Sequence, residues 1–183
     1  FLRIALVRER AEMTSRKAVA TDLLTGAASR RSFFKDGEAM LARAAAQRAE
    51  CAVLVADLDH FKSVNDRWGH AAGDRVLQQF TQRARAAFGA RVHFARLGGE
   101  EFAAIMLDMT LEDAFHLASN MLESVSARGF VVEQADIAVT TSIGLAFTSR
   151  SGYDLEILLR HADTALYCAK HNGRNRIECA DIA

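Results

Sequence analysis

Residues 91–107 read RVHFARLGGEEFAAIML, two segments typical of β-strands separated by two glycines and two adjacent glutamates. The flanking composition favours strands and the glycine pair favours a tight turn, so the stretch predicts a β-hairpin. Gly98 and Gly99 can take a positive φ in a two-residue turn and let a phosphate approach the backbone. The hairpin tip would then hold Glu100 and Glu101 side by side, where like charges repel.

A second group of acids closes the apolar segment 51–59, CAVLVADLD. Its composition predicts a buried strand, and alternation places Asp57 and Asp59 on one face and Leu58 on the other. A lone acid there would simply mark the strand end. If Glu100 lies beside that face, however, the carboxylates raise one another's pKa, and a hard divalent cation removes the conflict.

The remaining pattern predicts alternating helices and strands. Helices are expected at 30–49, 73–88, 111–127 and 154–171, and further strands at 137–147 and 174–179. Residues 60–72 contain Gly69 and are predicted to form turns. Two hairpin strands between helices favour a mixed sheet with helices packed on it, rather than a purely parallel, doubly wound sheet.

The composition narrows the class of protein. With 183 residues, 50% hydrophobic and 25% charged, the chain is expected to form one ordinary globular domain. Its 23 basic and 23 acidic residues balance, so no overall field favours nucleic acid or anionic membrane, and any phosphate binding must be local. Three separated cysteines predict neither a disulfide framework nor a zinc site, which fits a reducing cytoplasm.

Two further stretches carry polar groups suited to a nucleotide. DLDHFKSVNDRWGHAAGD, residues 57–74, contains Asn65 and Asp74. A carboxylate can accept hydrogen bonds from both N1–H and the 2-amino group of guanine, which adenine cannot satisfy. Taken alone, Asp74 would be a helix N-cap. Lys170 and Arg174 follow a predicted helix and either complement its dipole or bind the β- and γ-phosphates of a nucleotide.

Together these motifs resemble the GGDEF domain of bacterial diguanylate cyclases, whose name motif occurs here as GGEEF at 98–102. The resemblance runs from about residue 20 to the end and rests on DLLTG…RR.F at 22–33, DLDHFKSVNDRWGHAAGD at 57–74, RLGGEEF at 96–102, TSIGLA at 141–146 and ADTALYCAKHNGRN at 162–175. It implies an α/β (α+β) fold with a palm-like βαββαβ core, as in nucleotidyl cyclases. The central sheet would be mixed, mostly antiparallel and flanked by helices.

The resemblance also implies an activity and a site. Two GTP would condense to cyclic di-GMP, a bacterial second messenger, and two pyrophosphates. Asp57, Glu100 and the Leu58 carbonyl would bind Mg²⁺ or Mn²⁺, with Glu100 as base and Glu101 in support. The remaining substrate contacts would come from Asn65, His70 and Asp74 for the guanosine, and from His60, Phe61, Lys62, Gly99, Lys170 and Arg174 for the phosphates.

Two positions separate this chain from other members. Many carry an R-x-x-D product-inhibition motif upstream of the glycine pair, and the corresponding slot here is Gly89-Ala90-Arg91-Val92, without either anchoring residue. Relatives that accept ATP tend to replace the acid at Asp74 with serine. We therefore expect GTP specificity and no tight product inhibition through that site.

The chain begins at Phe1, so a longer protein with an upstream sensory domain is expected. Residues 1–20 place apolar side chains at alternating steps of three and four and predict a connector or signalling helix, either solvated or dimerising; residues 21–183 would be the catalytic domain. Turnover would require a homodimer, in the cytoplasm even if the full-length protein is tethered to a membrane. No nucleic-acid partner is expected.

Three other functions compete with the cyclase. The first is a catalytically silent GTP-binding or interaction module, although such domains usually have altered metal or glycine positions. A palm-type polymerase or another nucleotidyl cyclase would use the same core, but a polymerase would need a basic template surface. A nonenzymatic domain would leave the acids, amides and cations of the quoted motifs unexplained.

Overall fold

The computed structural model describes residues 20–89 and 92–180. The helices are α1 (Arg30–Gln47), α2 (Phe61–Trp68), α3 (His70–Phe88), α4 (Leu111–Ser126), α5 (Thr148–Ser151) and α6 (Leu155–His171). The strands are β1 (Ala28–Ser29), β2 (Cys51–Leu58), β3 (Val92–Gly98), β4 (Glu101–Leu107), β5 (Phe130–Val132), β6 (Ala135–Ile137), β7 (Thr141–Phe147) and β8 (Ile177–Cys179).

Apart from Ala20, the predicted connector helix lies outside the described residues, so the domain boundary stays a prediction. Within the described ranges, no helix combines the length and apolar character that a membrane span requires.

Within the described residues, six strands form one sheet in the order β1-β3-β4-β2-β7-β8. The central strand β2 runs antiparallel to β4 and β7, and β3 and β4 form the predicted antiparallel hairpin. The outer pairs β1–β3 and β7–β8 are parallel. The sheet is therefore mixed and mostly antiparallel, which confirms the predicted fold class.

Helices cover both faces of the sheet, and β2 is buried along its whole length. Alternate residues of β2 enter two different cores: Leu54 and Leu58 join α2, α3 and α4, whereas Val53 and Val55 join α1 and α6. Burial on both faces explains why this strand is continuously apolar. Only its end, at Asp57, carries a charge to the edge of the sheet.

A close approach of α6 to β7 depends on Gly144. A Cβ atom at this position would overlap the backbone of Ala162 and Leu166 in α6. The glycine of the TSIGLA stretch therefore allows the helix to lie directly on the strand. Because Lys170 is in the last turn of α6, this packing also determines where its ammonium group lies.

Residues 60–72 are not the predicted turn segment. Phe61 and Val64 are buried at helical spacing and form the apolar side of the short helix α2. Gly69, with φ of 82°, joins α2 to α3, which begins at His70 instead of residue 73. Asp74 consequently lies inside α3 and is not its N-cap.

The predicted strand at 137–147 is also wrong in extent. The chain forms a separate two-stranded hairpin, β5–β6, and then enters the main sheet at Thr141. The turn of this hairpin contains Glu133 with φ of 56°, and without glycine or asparagine it gave no turn signal. The last strand begins only at Ile177, because Arg174 and Asn175 take left-handed backbone with φ of 59° and 47°.

Candidate active site

The acids singled out in the sequence meet at one edge of the sheet, where β2 ends and β4 begins. Asp57 lies directly opposite Glu101 in the β2–β4 pair and opposite Ser142 in the β2–β7 pair. Opposed residues of an antiparallel pair project from the same face, so Asp57 and Glu101 share a face. Glu100 occupies the turn immediately before β4 and is half-buried.

Asp57 is the most buried member of this group. Its side chain is 11% exposed, and Lys170 Nζ lies 3.0 Å from its Oδ1. Burial raises the pKa of Asp57, the hydrogen bond and charge of Lys170 lower it, and the charges of Glu100 and then Glu101 raise it again; the net shift is upward. Lys170 therefore offsets only part of the cost of ionising this carboxylate.

The same residues offer carboxylate and carbonyl oxygens to a metal ion. Among residues 20–89 and 92–180, no three His, Cys, Asp or Glu side chains are arranged to hold a metal by themselves. Mg²⁺, however, commonly takes only one or two protein carboxylates and fills its other positions with water and phosphate oxygens. Burial and the two glutamates raise the pKa of Asp57, and a nearby cation would oppose that shift by stabilising the carboxylate. Asp57 and Glu100, beside the backbone of Leu58, thus fit a hard divalent cation.

The turn at the hairpin tip is shifted by one residue from the prediction. Gly98 pairs with Glu101 after a bulge, which leaves Gly99 and Glu100 as the two turn residues. Gly98 and Gly99 both have positive φ, at 154° and 51°. No atom lies within 4 Å of the position that a Cβ would occupy at either glycine. The backbone here is open to a ligand.

Arg96, which the sequence-based site did not include, holds this tip in place. Its Nε and Nη2 donate to the carbonyl oxygen of Gly99 at 2.9 and 2.8 Å. Its Nη1 lies 3.2 Å from Asp22 Oδ1, and Asp22 also accepts from the backbone N–H and hydroxyl of Thr25. One guanidinium therefore joins the turn of the DLLT stretch to the glutamate turn. The two motifs were visible in the sequence, but their contact was not.

The residues predicted to bind guanosine lie on either side of Gly69. Asn65 is half-buried on α2, and a Cβ at Gly73 would overlap its side-chain amide, so the glycine makes room for it. His70 and Asp74 are exposed in the first turns of α3. The packing of α2 on α3 thus brings Asn65 against the turn that carries Asp74 and leaves that carboxylate accessible.

The start of α2 offers backbone amides at the same edge. His60 has φ of 56°, and its side chain makes no capping hydrogen bond. The first amides of a helix have no partner within the helix and favour an anion. Lys62 is exposed in this first turn, whereas the Phe61 ring is buried in the core, so only the backbone of Phe61 is available to a ligand.

The two cations predicted for the phosphates make different contacts in this structure. Lys170 contacts Asp57, while Arg174 lies in the loop after α6 with an exposed side chain. The Arg174 backbone N–H donates to the carbonyl oxygen of Ala169 at 2.9 Å, which folds the loop back onto the helix. Both cations still lie at the edge where β2 ends.

Asp59 lies just beyond the end of β2, and its contacts keep it on the predicted face, because it bonds Ser142, the residue opposite Asp57 in the β2–β7 pair. The Asp59 carboxylate is buried and accepts hydrogen bonds from Thr140, Ser142 and Asn175. It therefore shares the face of Asp57, as predicted, but β7 and the loop after α6 cover it, so it is not open to a ligand.

Comparison with known proteins identifies the family. The sequence model described as "Diguanylate cyclase, GGDEF domain" matches residues 19–176. The chain belongs to the GGDEF domain family. Among its relatives, the response regulator PleD of Caulobacter vibrioides is 37% identical over 165 residues, which is 89% of this chain and 36% of PleD. The chain therefore spans little more than a third of that relative's length.

Solved structures of GGDEF proteins share the fold. The coiled coil and GGDEF domain of DgcB from Caulobacter crescentus, in complex with c-di-GMP, gives a TM-score of 0.89 at 30% identity and covers 98% of this chain and 94% of that one. The diguanylate cyclase SiaD of Pseudomonas aeruginosa, in complex with its activator SiaC, gives a TM-score of 0.85 at 29% identity. The match covers 97% of this chain and 68% of the SiaD chain.

The link between Asp22 and Arg96 predicts an acid-dependent contribution to stability. Partial burial raises the pKa of Asp22, but the hydrogen bonds from Thr25 and the contact with Arg96 outweigh it, and the pKa lies below the ordinary 3.8. A carboxylate whose pKa is lower in the folded than in the unfolded chain stabilises the fold at a pH above its pKa in the unfolded chain. This stabilisation is lost as the pH falls through its pKa in the folded chain. Asp22→Asn should lower the free energy of unfolding, measured with urea at pH 7, by about 1 kcal/mol. The difference from wild type should shrink toward zero as the pH falls below 3.8.

Asp163→Asn serves as the control, because it removes an exposed carboxylate from α6. It should leave the stability nearly unchanged at both ends of the pH range. If Asp22→Asn lowers the free energy of unfolding equally at pH 7 and in acid, the stabilisation does not come from the ionised Asp22 carboxylate.

Proposed function

We propose that this GGDEF domain is a diguanylate cyclase that condenses two GTP into cyclic di-GMP and two pyrophosphates. The observation that carries the proposal is the open sheet edge at which Asp57, Glu100 and Glu101 converge beside Lys170. Acids, exposed glycine backbone, helix amides and cations at one edge match what a magnesium-dependent nucleotidyl transfer requires. Membership of the family, and the solved complex of the related DgcB with c-di-GMP, support the same reaction.

The guanine is assigned to the junction of α2 and α3. The Asp74 carboxylate would accept from N1–H and the 2-amino group, and Asn65 would add a further hydrogen bond to the base. His70, exposed one turn before Asp74, would contact the same nucleoside. Adenine has an acceptor at N1 and no 2-amino group, so it would leave Asp74 unpaired.

The triphosphate is assigned to the groups between β2 and the loop after α6. The backbone amides of His60 and Phe61 and the ammonium of Lys62 would bind it at the start of α2. Gly99 would let it approach the hairpin backbone. Lys170 and Arg174 would hold the β- and γ-phosphates, where the negative charge of the leaving pyrophosphate grows.

Asp57, Glu100 and the Leu58 carbonyl would hold Mg²⁺ or Mn²⁺. When bound, such an ion neutralises phosphate charge and polarises the phosphoryl group under attack. The raised pKa of Asp57 supports this placement, because a nearby cation offsets the charge that burial and the two glutamates make unfavourable.

In each of the two steps, the 3′-hydroxyl of one GTP attacks the α-phosphorus of the other. Glu100 would accept the hydroxyl proton, a 3′,5′ phosphodiester would form and pyrophosphate would leave with the bond electrons. Glu101, directly opposite Asp57, would keep the local field favourable to the cation. We assign the base to Glu100 and a supporting role to Glu101, because Glu100 lies in the turn at the hairpin tip whereas Glu101 is already paired in β4.

A homodimer is part of the proposal. One domain offers one open edge and therefore one GTP, whereas a cyclic dinucleotide needs two 3′-hydroxyls and two α-phosphates in antiparallel arrangement. Two domains facing each other supply both. An upstream sensory domain acting through the segment before residue 20 could then regulate turnover by changing the geometry of the dimer, in the cytoplasm.

The first test is turnover. The 183-residue chain, incubated with GTP and Mg²⁺, should release pyrophosphate and form cyclic di-GMP in a 2:1 ratio. Glu100→Ala should lower the rate by at least about 100-fold, because it removes the base and a metal ligand. Glu112→Ala is the matched control: this glutamate is 85% exposed at the start of α4, so its loss should leave the rate unchanged.

Sedimentation velocity should accompany the assay, since a monomer is expected to be silent. If the chain is monomeric, an N-terminal dimerising coiled coil would restore the required encounter. A chain that dimerises and binds GTP but yields no product would refute the cyclase and leave the silent GTP-binding module.

Nucleotide choice tests the assignment of Asp74. Asp74→Ser should lower kcat/KM for GTP roughly 10- to 100-fold and allow ATP to enter mixed cyclic dinucleotides, because serine no longer offers two acceptors to guanine. Products from GTP and ATP mixtures can be separated by chromatography and mass spectrometry. Turnover of ATP alone by the wild-type chain would contradict the assignment.

We also propose that the R-x-x-D site is lost. Gly89 stands at the first anchoring position, where α3 ends with φ of 68°, a conformation that disfavours arginine. Val92 stands at the second. Isothermal titration of the wild-type chain with cyclic di-GMP should show no micromolar binding at this slot. Micromolar binding that disappears on mutation of Arg91 would show the opposite.

A further inference from the structure

We propose that Asp59 is a positioning residue that holds the loop 172–176, so that Arg174 can reach the triphosphate. This inference rests on the proposed function. It concerns a buried carboxylate that the reaction itself does not use.

Asp59 is only 4% exposed, and both of its carboxylate oxygens accept hydrogen bonds. Its Oδ2 accepts from the Thr140 hydroxyl at 2.6 Å and from the backbone N–H of Asn175 at 3.1 Å. Its Oδ1 accepts from the Ser142 hydroxyl at 2.7 Å. Buried polar oxygens need hydrogen-bond donors to replace water, and here one of the donors is the backbone of the arginine loop.

The loop depends on such an anchor because of its backbone. Arg174 and Asn175 both have left-handed φ, at 59° and 47°. Two consecutive non-glycine residues adopt this conformation only where their surroundings impose it. At the start of the loop, the Arg174 N–H donates to the Ala169 carbonyl oxygen. At its end, the Arg176 carbonyl oxygen accepts from the Ile143 N–H. The Asn175 N–H bonded to Asp59 fixes the middle of the loop.

The position of Asp59 in the chain makes this contact functional. Asp59 directly precedes His60 and Phe61, whose amides begin α2 and are assigned to the phosphates. Its backbone thus leads into one half of the proposed phosphate site, while its side chain holds the loop of the other half. One residue therefore links the helix amides to the loop that carries Arg174.

The chemistry of the contacts predicts different effects for two substitutions. Asp59→Ala removes every acceptor and releases the loop. Asp59→Asn can place its amide oxygen where Oδ2 lies, keeping the bonds from Thr140 and Asn175, and its NH₂ can donate to the Ser142 hydroxyl, which also accepts. Asparagine should therefore largely preserve the loop, although it carries no charge.

The test compares two nucleotides with the same base. Binding of an α,β-methylene GTP analogue and of GMP to the full 183-residue chain is measured with Mg²⁺ by displacement of a fluorescent GTP derivative. Asp59→Ala should weaken binding of the triphosphate about tenfold and change GMP binding less than about twofold. Asp59→Asn should bring triphosphate affinity back to within about threefold of wild type.

Two further variants separate positioning from a general structural role. In an Arg174→Ala background, Asp59→Ala should cause no additional loss, because the two residues act through one contact with the triphosphate. Asp154→Ala is the matched control: Asp154 accepts the Ile157 N–H at 3.0 Å at the other end of α6, so its loss weakens a carboxylate–amide anchor without touching the site. It should leave both affinities unchanged.

The outcomes are distinct. Equal losses for the triphosphate and GMP, or losses that add in the Arg174→Ala background, would overturn the positioning role, as would wild-type affinities for Asp59→Ala. If circular dichroism shows that Asp59→Ala does not fold, Asp59→Ser, which fills more of the space, should give the same selective loss, and its absence overturns the inference. A wild-type chain that binds neither nucleotide would overturn the proposed function together with it.

Discussion

The antiparallel pairing of β2 with β4 creates the constraint on which this edge of the molecule depends. It places Asp57 directly opposite Glu101 and brings Glu100 into the adjoining turn, so that three negative charges share one end of a buried sheet. Such an arrangement is costly unless positive charge is nearby. Lys170 supplies part of it, at 3.0 Å from Asp57, and the pKa of Asp57 remains raised. The surrounding groups are those that would bring in a metal ion and a nucleotide.

The loops around the acids are held by polar contacts between distant parts of the chain. Arg96 joins Gly99 to Asp22, and Asp59 joins Asn175 to the start of β7. Loops at the end of a sheet have few apolar contacts to fix them, so charged groups with several hydrogen bonds take over that task. Both contacts end on backbone atoms of segments proposed to bind substrate. Precision at this edge therefore comes from residues that need not touch the ligand.

Much of the fold was predictable, and the errors have a common origin. The hairpin, β2 and the long helices carry strong composition or periodicity, and the structure confirms their type and approximate bounds. Helix α2 was not predicted, because only Phe61 and Val64 mark its buried side over eight residues and Gly69 follows it. Alternation placed Asp59 correctly on the face of Asp57, but no local pattern indicated that β7 and the loop after α6 bury its carboxylate. Short elements and element ends carry too few residues for a pattern to decide them.

The sequence by itself determined the kind of site: acids beside a glycine turn, an asparagine and an aspartate suited to guanine, and two cations after a helix. These follow from residue type and local spacing, and they were sufficient for the resemblance that the comparison confirms. Only the tertiary structure decided that Glu101 lies across from Asp57, that Lys170 contacts it, and that Asp59 binds the arginine loop. Those contacts depend on strand order and on how closely α6 lies over Gly144. They join segments far apart in the chain, which no local pattern relates.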